Sequence, residues 1–218
     1  MIRAFGWNEF FTIVMAAQWT IALSAIAFAG GGAGGLLTAL ARVSDARLPR
    51  ILAIGFIRLF QGTPLLMQLF LVFFGMNILG FAINPWLAAA VALTLHASAF
   101  LGEIWRGCIE AIPSGQREAA TALGLGYYHR MRFIILPQAA RIAVAPTVGF
   151  LVQLIKGTSL AAIIGFTELT RQGQIINNAT FSPFLVFGTV AAVYFILCWP
   201  LSVLARRMEL RFSRATAR

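Results

Sequence analysis

Long apolar runs separated by short polar segments dominate this chain. Five of them run from about Phe11 to Ala41, Leu52 to Leu79, Pro85 to Ile104, Ala143 to Gly165 and Phe184 to Ala205. As helices, each is long enough to cross the hydrocarbon core of a bilayer, which needs about 20 residues. The pattern predicts an all-α membrane protein with five transmembrane helices in one domain over residues 1–218. The second run contains polar residues and Pro64, so a kinked or locally unwound middle is expected there. Such a break is tolerated at membrane depth where it faces protein or a water-filled cavity.

One segment does not fit a membrane interior. Between the third and fourth runs, Pro113, Ser114 and Gly115 supply a helix start, and Glu118 is expected to place a carboxylate in the first turn. Gly124 or Gly126 supplies the stop. The predicted helix, about 114–124, has roughly nine helical residues and is too short to cross anything. At helical spacing Ala119, Ala120 and Leu123 share a small, mildly apolar face that suits a shallow groove on a partner protein. A helix lying on lipid headgroups usually carries several Lys or Arg with bulky apolar residues, whereas this one has a single Arg and mostly Ala.

Composition sharpens the class. With 60% hydrophobic and 11% charged residues, the chain cannot present a water-facing surface all round. Its net charge of +10 raises the question of nucleic acid, which the distribution of the charge answers. Arg42, Arg47 and Arg50 follow the first run. Arg106, Arg117, Arg130, Arg132 and Arg141 lie between the third and fourth, and Arg206, Arg207, Arg211, Arg214 and Arg218 follow the fifth. These loops all fall on one side, which leaves Arg3 and Arg171 on the other. By the positive-inside rule the N-terminus is expected outside and the C-terminus in the cytoplasm. The charge is then a topology signal with no recognition motif for nucleic acid. The first run continues through Phe28 with no Ala-x-Ala cleavage pattern, so a removed leader is not expected.

Several residues within the runs invite a chemical reading. Gly30, Gly31, Gly34 and Gly35 stand four apart in two pairs, a spacing that lets helices approach closely in lipid. Packing within the chain is preferred here over a subunit interface. Arg58 and Lys156 are costly at membrane depth and should face a cavity, pair with another group or snorkel. Arg58 reads as structural, while for Lys156 a pathway role and a structural pair stay open. His96 reads as a hydrogen-bonded packing residue, and Glu103, Arg106 and Glu110 are spaced to pair along one helix. Cys108 and Cys198 read as apolar fillers. No metal-ligand spacing and no GxxxxGK[ST] loop occurs, so neither a metal, a cofactor nor a catalytic residue is expected. Lys156 and Ser159 have the spacing of a Ser–Lys dyad, but no oxyanion donors accompany them. A self-contained channel or secondary carrier is the stronger rival, against which an internal inverted repeat is missing, and a permease for a different small solute is the other alternative.

Glu118-Ala119-Ala120, then Gly124, Ile134 and Leu136-Pro137, resemble the EAA signature of binding-protein-dependent ABC importer permeases. Gly62-Thr63-Pro64-Leu65-Leu66, Ile112-Pro113-x-Gly115-Gln116-x-Glu118, Leu136-Pro137-Gln138-Ala139, Lys156-x-Thr158-Ser159-Leu160 and Glu168-Leu169 are similar to the polar amino acid class of that family. The likeness runs from about Thr20 to Glu209. It implies a five-helix permease of the bacterial cytoplasmic (inner) membrane that dimerises, with itself or a paralogue, around a central pathway. It further implies cytoplasmic ATP-binding cassette subunits, an extracytoplasmic solute-binding protein and transport by alternating access. Gly115, Glu118, Ala119, Ala120, Leu123, Gly124, Leu136 and Pro137 would then form the ATPase-coupling segment, and Gln61, Thr63, Lys156, Thr158 and Ser159 would lie nearest the substrate pathway. Three departures stand in pathway regions: Gln61 where the family often has Arg, Gly157 in place of a frequent Asp, and Gly149 in place of a common Asn.

Overall fold

The computed structural model describes residues 4–216, with side chains through residue 210. Of the basic residues named above, Arg3 and Arg218 lie outside that range, as do the side chains of Arg211 and Arg214. Every regular element among the described residues is a helix. In chain order they are α1 (Trp7–Val43), α2 (Arg47–Gln61), α3 (Leu65–Ile78), α4 (Pro85–Glu110) and α5 (Ser114–Ala122). There follow α6 (Tyr127–Ala162), α7 (Leu169–Thr180) and α8 (Pro183–Thr216).

Local signals set several boundaries. At the start of α1 the Gly6 N–H donates to Glu9 Oε2 at 3.0 Å, half of a capping box. Asn84 caps α4 by accepting from Leu87 N at 2.8 Å, and Pro85 takes the first helical position, where a missing N–H costs nothing. Within α6 the turn Met131–Ile135 is π-helical and ends two residues before Pro137. Pro137 has no N–H to give the carbonyl four residues back, and its ring crowds that carbonyl, so the turn opens there.

α1, α4, α6 and α8 are each long and apolar enough to span, while α2 and α3 pass that test only together, bent by 104°. The packing of α1 on α4 decides how the bent pair counts. Gly30 faces Thr94, Gly31 faces Ala97, Gly34 faces Ser98, Gly35 faces Leu101, and Thr38 faces Gly102, so the two helices run parallel. Parallel neighbours enter from the same side, which obliges the chain between them to cross once. The bent pair is therefore one broken span, and the total is five. The kink expected near Pro64 is thus a full change of direction. The glycine pairs serve contact within the chain.

α6 returns antiparallel to α4: Thr147 Oγ1 accepts from Trp105 Nε1 at 2.9 Å, Phe150 stacks on Phe100, and Phe166 meets Trp86. Phe150 and Phe166 belong with Leu23, Leu93 and Leu154 to the main core, and Trp86, Phe100 and Trp105 pack against it. α7, absent from the sequence-based expectation, packs against the first turns of α1 and α8 through Ile13, Leu169, Ile176, Val186 and Val190. The ends of α1, α4 and α8 and the start of α6 consequently lie together at the basic end, with α5 among them.

Candidate functional site

α5 is held at the basic end by specific bonds. Arg117 Nη2 donates to the Ile109 carbonyl at 3.0 Å, tying the helix to the end of α4. Arg130 Nη1 donates to Thr121 Oγ1 at 2.9 Å, tying it to the start of α6. Gln138 Nε2 reaches Gln116 Oε1 at 3.4 Å. Beneath it lies a cluster of Ile109, Ile112, Met131, Ile135 and Ala139, with Leu136 half-buried at its edge. The helix ends in a Schellman closure, in which Gly124 N donates to Thr121 O at 2.9 Å and Leu125 N to Ala120 O at 3.1 Å. Gly124 has φ +75° and nothing within 4 Å of an added Cβ, so it is required for its backbone conformation and not for space.

Two expectations about this helix need correction. Because it begins at Ser114, Glu118 occupies the fifth position and lies beyond the first turn. Ala119, Ala120 and Leu123 do not form one free face, since Ala120 is 1% exposed and packs into this chain while Leu123 is 79% exposed. Ala119, Gly115, Glu118 and Pro137 are also exposed. Of the three residues expected to share a face, Ala119 and Leu123 remain exposed, with Glu118 beside them.

The second cluster is the break in the broken span. Pro64 contributes no N–H, and the reversal at Gly62 and Thr63 frees carbonyls that would otherwise go unpaired at membrane depth. Gln68 supplies them: its Nε2 donates to Phe60 O at 2.7 Å and to Thr63 O and Oγ1 at 3.0 Å each. Gln68 Oε1 lies 3.0 Å from His96 Nδ1, so His96 fixes which way the amide points. His96 is the hydrogen-bonded residue its sequence context suggested. Gln68 was missed, although a buried amide four residues after a proline in an apolar run is the signal for such a splice.

Around this break the pathway candidates divide. Gln61 and Thr63 flank it and are exposed, and Lys156 is exposed on α6. The neighbouring Gly157 sits against α3, where an added Cβ would come 3.0 Å from Leu65 Cδ2. Thr158 turns inward: it is 0% exposed and its hydroxyl donates to Ile155 O at 2.7 Å, so it does not line a pathway in this chain. Ser159 Oγ donates to the Lys156 carbonyl at 2.7 Å, a contact with the backbone that leaves no Ser–Lys dyad in place.

A third cluster joins the opposite end. Glu168 is 0% exposed and caps α7, accepting from Arg171 N at 2.9 Å, from Tyr194 Oη at 2.8 Å and from Thr20 Oγ1 at 3.3 Å. One carboxyl group thus links α1, α7 and α8.

Residues 31–217 match the family described as binding-protein-dependent transport system inner membrane component. The chain belongs to that permease family. The permease is 35% identical to the glutamine transport system permease protein GlnP of Escherichia coli, over 94% of each chain. It is 33% identical to the probable amino-acid ABC transporter permease protein YckA of Bacillus subtilis, over 98% of this chain and 99% of that one. It is 35% identical to the L-cystine transport system permease protein TcyB of Bacillus subtilis, over 92% and 86%. Among solved structures, the permease resembles the crystal structure of an amino acid ABC transporter with histidines, with a TM-score of 0.86 and 32% identity over 92% and 94% of the two chains. The inward-facing MetNI methionine ABC transporter shares the permease fold at a TM-score of 0.76 and 22% identity. As a permease, the chain is a multi-pass membrane protein, in keeping with its five spans.

Proposed function

We propose that this permease carries a polar amino acid inward by alternating access, as one half of a dimeric membrane unit formed with a second copy or a paralogue. ATP-binding cassette subunits dock on α5 and drive it, and an extracytoplasmic solute-binding protein delivers the amino acid to the opposite end. ATP is hydrolysed in the partner subunits, and the chain has no catalytic residue, metal or cofactor of its own. The reading is supported by the amino-acid permeases it resembles over nearly its whole length. The observation that carries it is α5: nine residues, joined to α4 and α6 by side-chain bonds, presenting Ala119 and Leu123 outward at the basic end.

Uptake by the complete transporter in proteoliposomes tests the substrate. ATP-dependent accumulation of L-glutamine or L-cystine is expected, and failure to take up any member of a full amino-acid panel would remove the reading. Orientation follows from the basic end facing the cytoplasm. With Cys108 and Cys198 replaced by Ala, a cysteine at Ser114 should react with an impermeant thiol reagent only in inverted vesicles. One at Asn178, exposed on α7, should react only in intact spheroplasts. The reverse pattern would invert the topology.

A further inference from the structure

A polar cavity opens where α1, α2 and α4 meet near the basic end. It encloses about 380 Å³ and is lined by Arg42, Ile54, Ile57, Arg58, Gln61 and Glu103. Two of its polar atoms are only loosely served: Arg42 Nε and Glu103 Oε2 are both sheltered from solvent and form an ion pair with each other at 3.7 Å, too long for a hydrogen bond, and neither has a hydrogen-bond partner. The other oxygen, Glu103 Oε1, is already taken by Arg106, whose Nε and Nη2 donate to it at 3.0 and 2.6 Å. Arg106 also pairs with Glu110. Arg58 adds a guanidinium with no hydrogen bond or ion pair among the described residues, and Gln61 an amide in the same condition. The charges are paired, but the sheltered carboxylate oxygen and the sheltered guanidinium nitrogen both lack the hydrogen bond that buried polar atoms ordinarily make.

We propose that this cavity is a transit site for the zwitterionic head of the transported amino acid, close to the inner mouth of the pathway. The proposal rests on the amino-acid reading above and adds where and how the substrate is held. The α-ammonium donates to Glu103 Oε2. The α-carboxylate accepts from Arg58 and from Arg42 Nε, the charge-assisted pairing for which guanidinium is suited. Gln61 carries a donor and an acceptor for a polar side chain, and Ile54 and Ile57 form the apolar wall against its methylene groups. Two guanidiniums alone would equally suit a lipid phosphate. The Glu103 oxygen that lines the same cavity without a hydrogen bond favours a ligand that carries both charges.

The test uses the complete permease–ATPase complex. Binding of radiolabelled L-glutamine is measured on detergent-purified complex without the binding protein, and uptake is measured in proteoliposomes with it. Arg58 has no intrachain partner to lose, so Arg58→Met should copurify with the ATPase as wild type does. Its glutamine binding is expected to weaken about tenfold, the loss for one charge-assisted hydrogen bond, with Arg58→Lys intermediate. L-glutaminol, which lacks the carboxylate, should compete poorly against wild type and no worse against Arg58→Met. Arg207→Met, an exposed change on α8, is the control. Unchanged glutamine binding and uptake in Arg58→Met, with wild type active, would overturn the site and leave the transport reading standing. So would loss of a copurifying phospholipid from Arg58→Met with glutamine binding intact, since the cavity would then be a headgroup site. Absence of amino-acid uptake by wild type would instead remove the underlying reading, and this proposal with it.

Discussion

Gly31→Val is expected to leave almost no correctly assembled permease in the membrane. A Cβ on Gly31 would lie 2.3 Å from Ala97 Cβ and 3.2 Å from the Ala97 carbonyl carbon, so the neighbouring backbone itself stands in the way. No flexible side chain can yield, and α1 and α4 must separate. Separation at Gly31 also opens the adjoining contacts of Gly30, Gly34 and Gly35 with Thr94, Ser98 and Leu101, along the tightest interface in the chain. Overpacking of this kind costs about 1–3 kcal/mol, and the separation forfeits dispersion contacts on both sides of the site. Gly107→Ala is the matched control, because nothing lies within 4 Å of an added Cβ there and Ala is the better helix former by up to about 1 kcal/mol. Thermal unfolding followed by gel filtration in detergent should show a collapsed peak for Gly31→Val and an unchanged or later transition for Gly107→Ala. Equal melting of Gly31→Val and wild type would mean that the two helices do not approach as described.

Ala119→Trp and Ala120→Trp, adjacent changes of the same kind, are expected to fail in different ways. Ala119 is exposed, whereas Ala120 is 1% exposed and faces into its own chain. A ring at 119 has free space in the isolated permease and meets an obstacle only when a partner closes on α5. It should therefore leave insertion and thermal stability intact while abolishing ATPase copurification and at least about 90% of transport, given that packed contacts have no spare volume. A ring at 120 has no room in its own chain and should lower stability before any partner is involved. The paired measurement is melting of the permease alone against recovery of the ATPase with it. Normal ATPase recovery and uptake for Ala119→Trp would show that this surface is not the docking face. Unchanged melting for Ala120→Trp would contradict the burial on which the distinction rests.

Much of this architecture was legible before any coordinates. Hydropathy and helical periodicity are local quantities. They suffice to mark five spans, to gather the basic residues of the loops at one end, and to isolate a nine-residue helix between Pro113 and Gly124. The pairing of Arg106 with Glu103 and Glu110 is also local, being a matter of three- and four-residue spacing on one helix. The glycine pairs of α1 announced a close approach in the same way, although the partner, α4, could not be read from them. Of the candidate site, the residue types were visible and their allocation was not. Which small residue of α5 is buried depends on how the helix meets the 131–135 turn, which arrives from another helix. That Arg42 meets Glu103 across a cavity depends on α1 and α4 lying parallel. The second span bends by 104° because Pro64 frees carbonyls and because Gln68, aimed by His96 from α4, is there to receive them. Thr158 shares a motif with Lys156, yet the tight turn that ends α6 directs one side chain inward and leaves the other exposed. A sequence pattern specifies what each helix can bury, and only the contacts between helices, formed by residues far apart in the chain, decide which of those surfaces are used and which remain for a partner or a substrate.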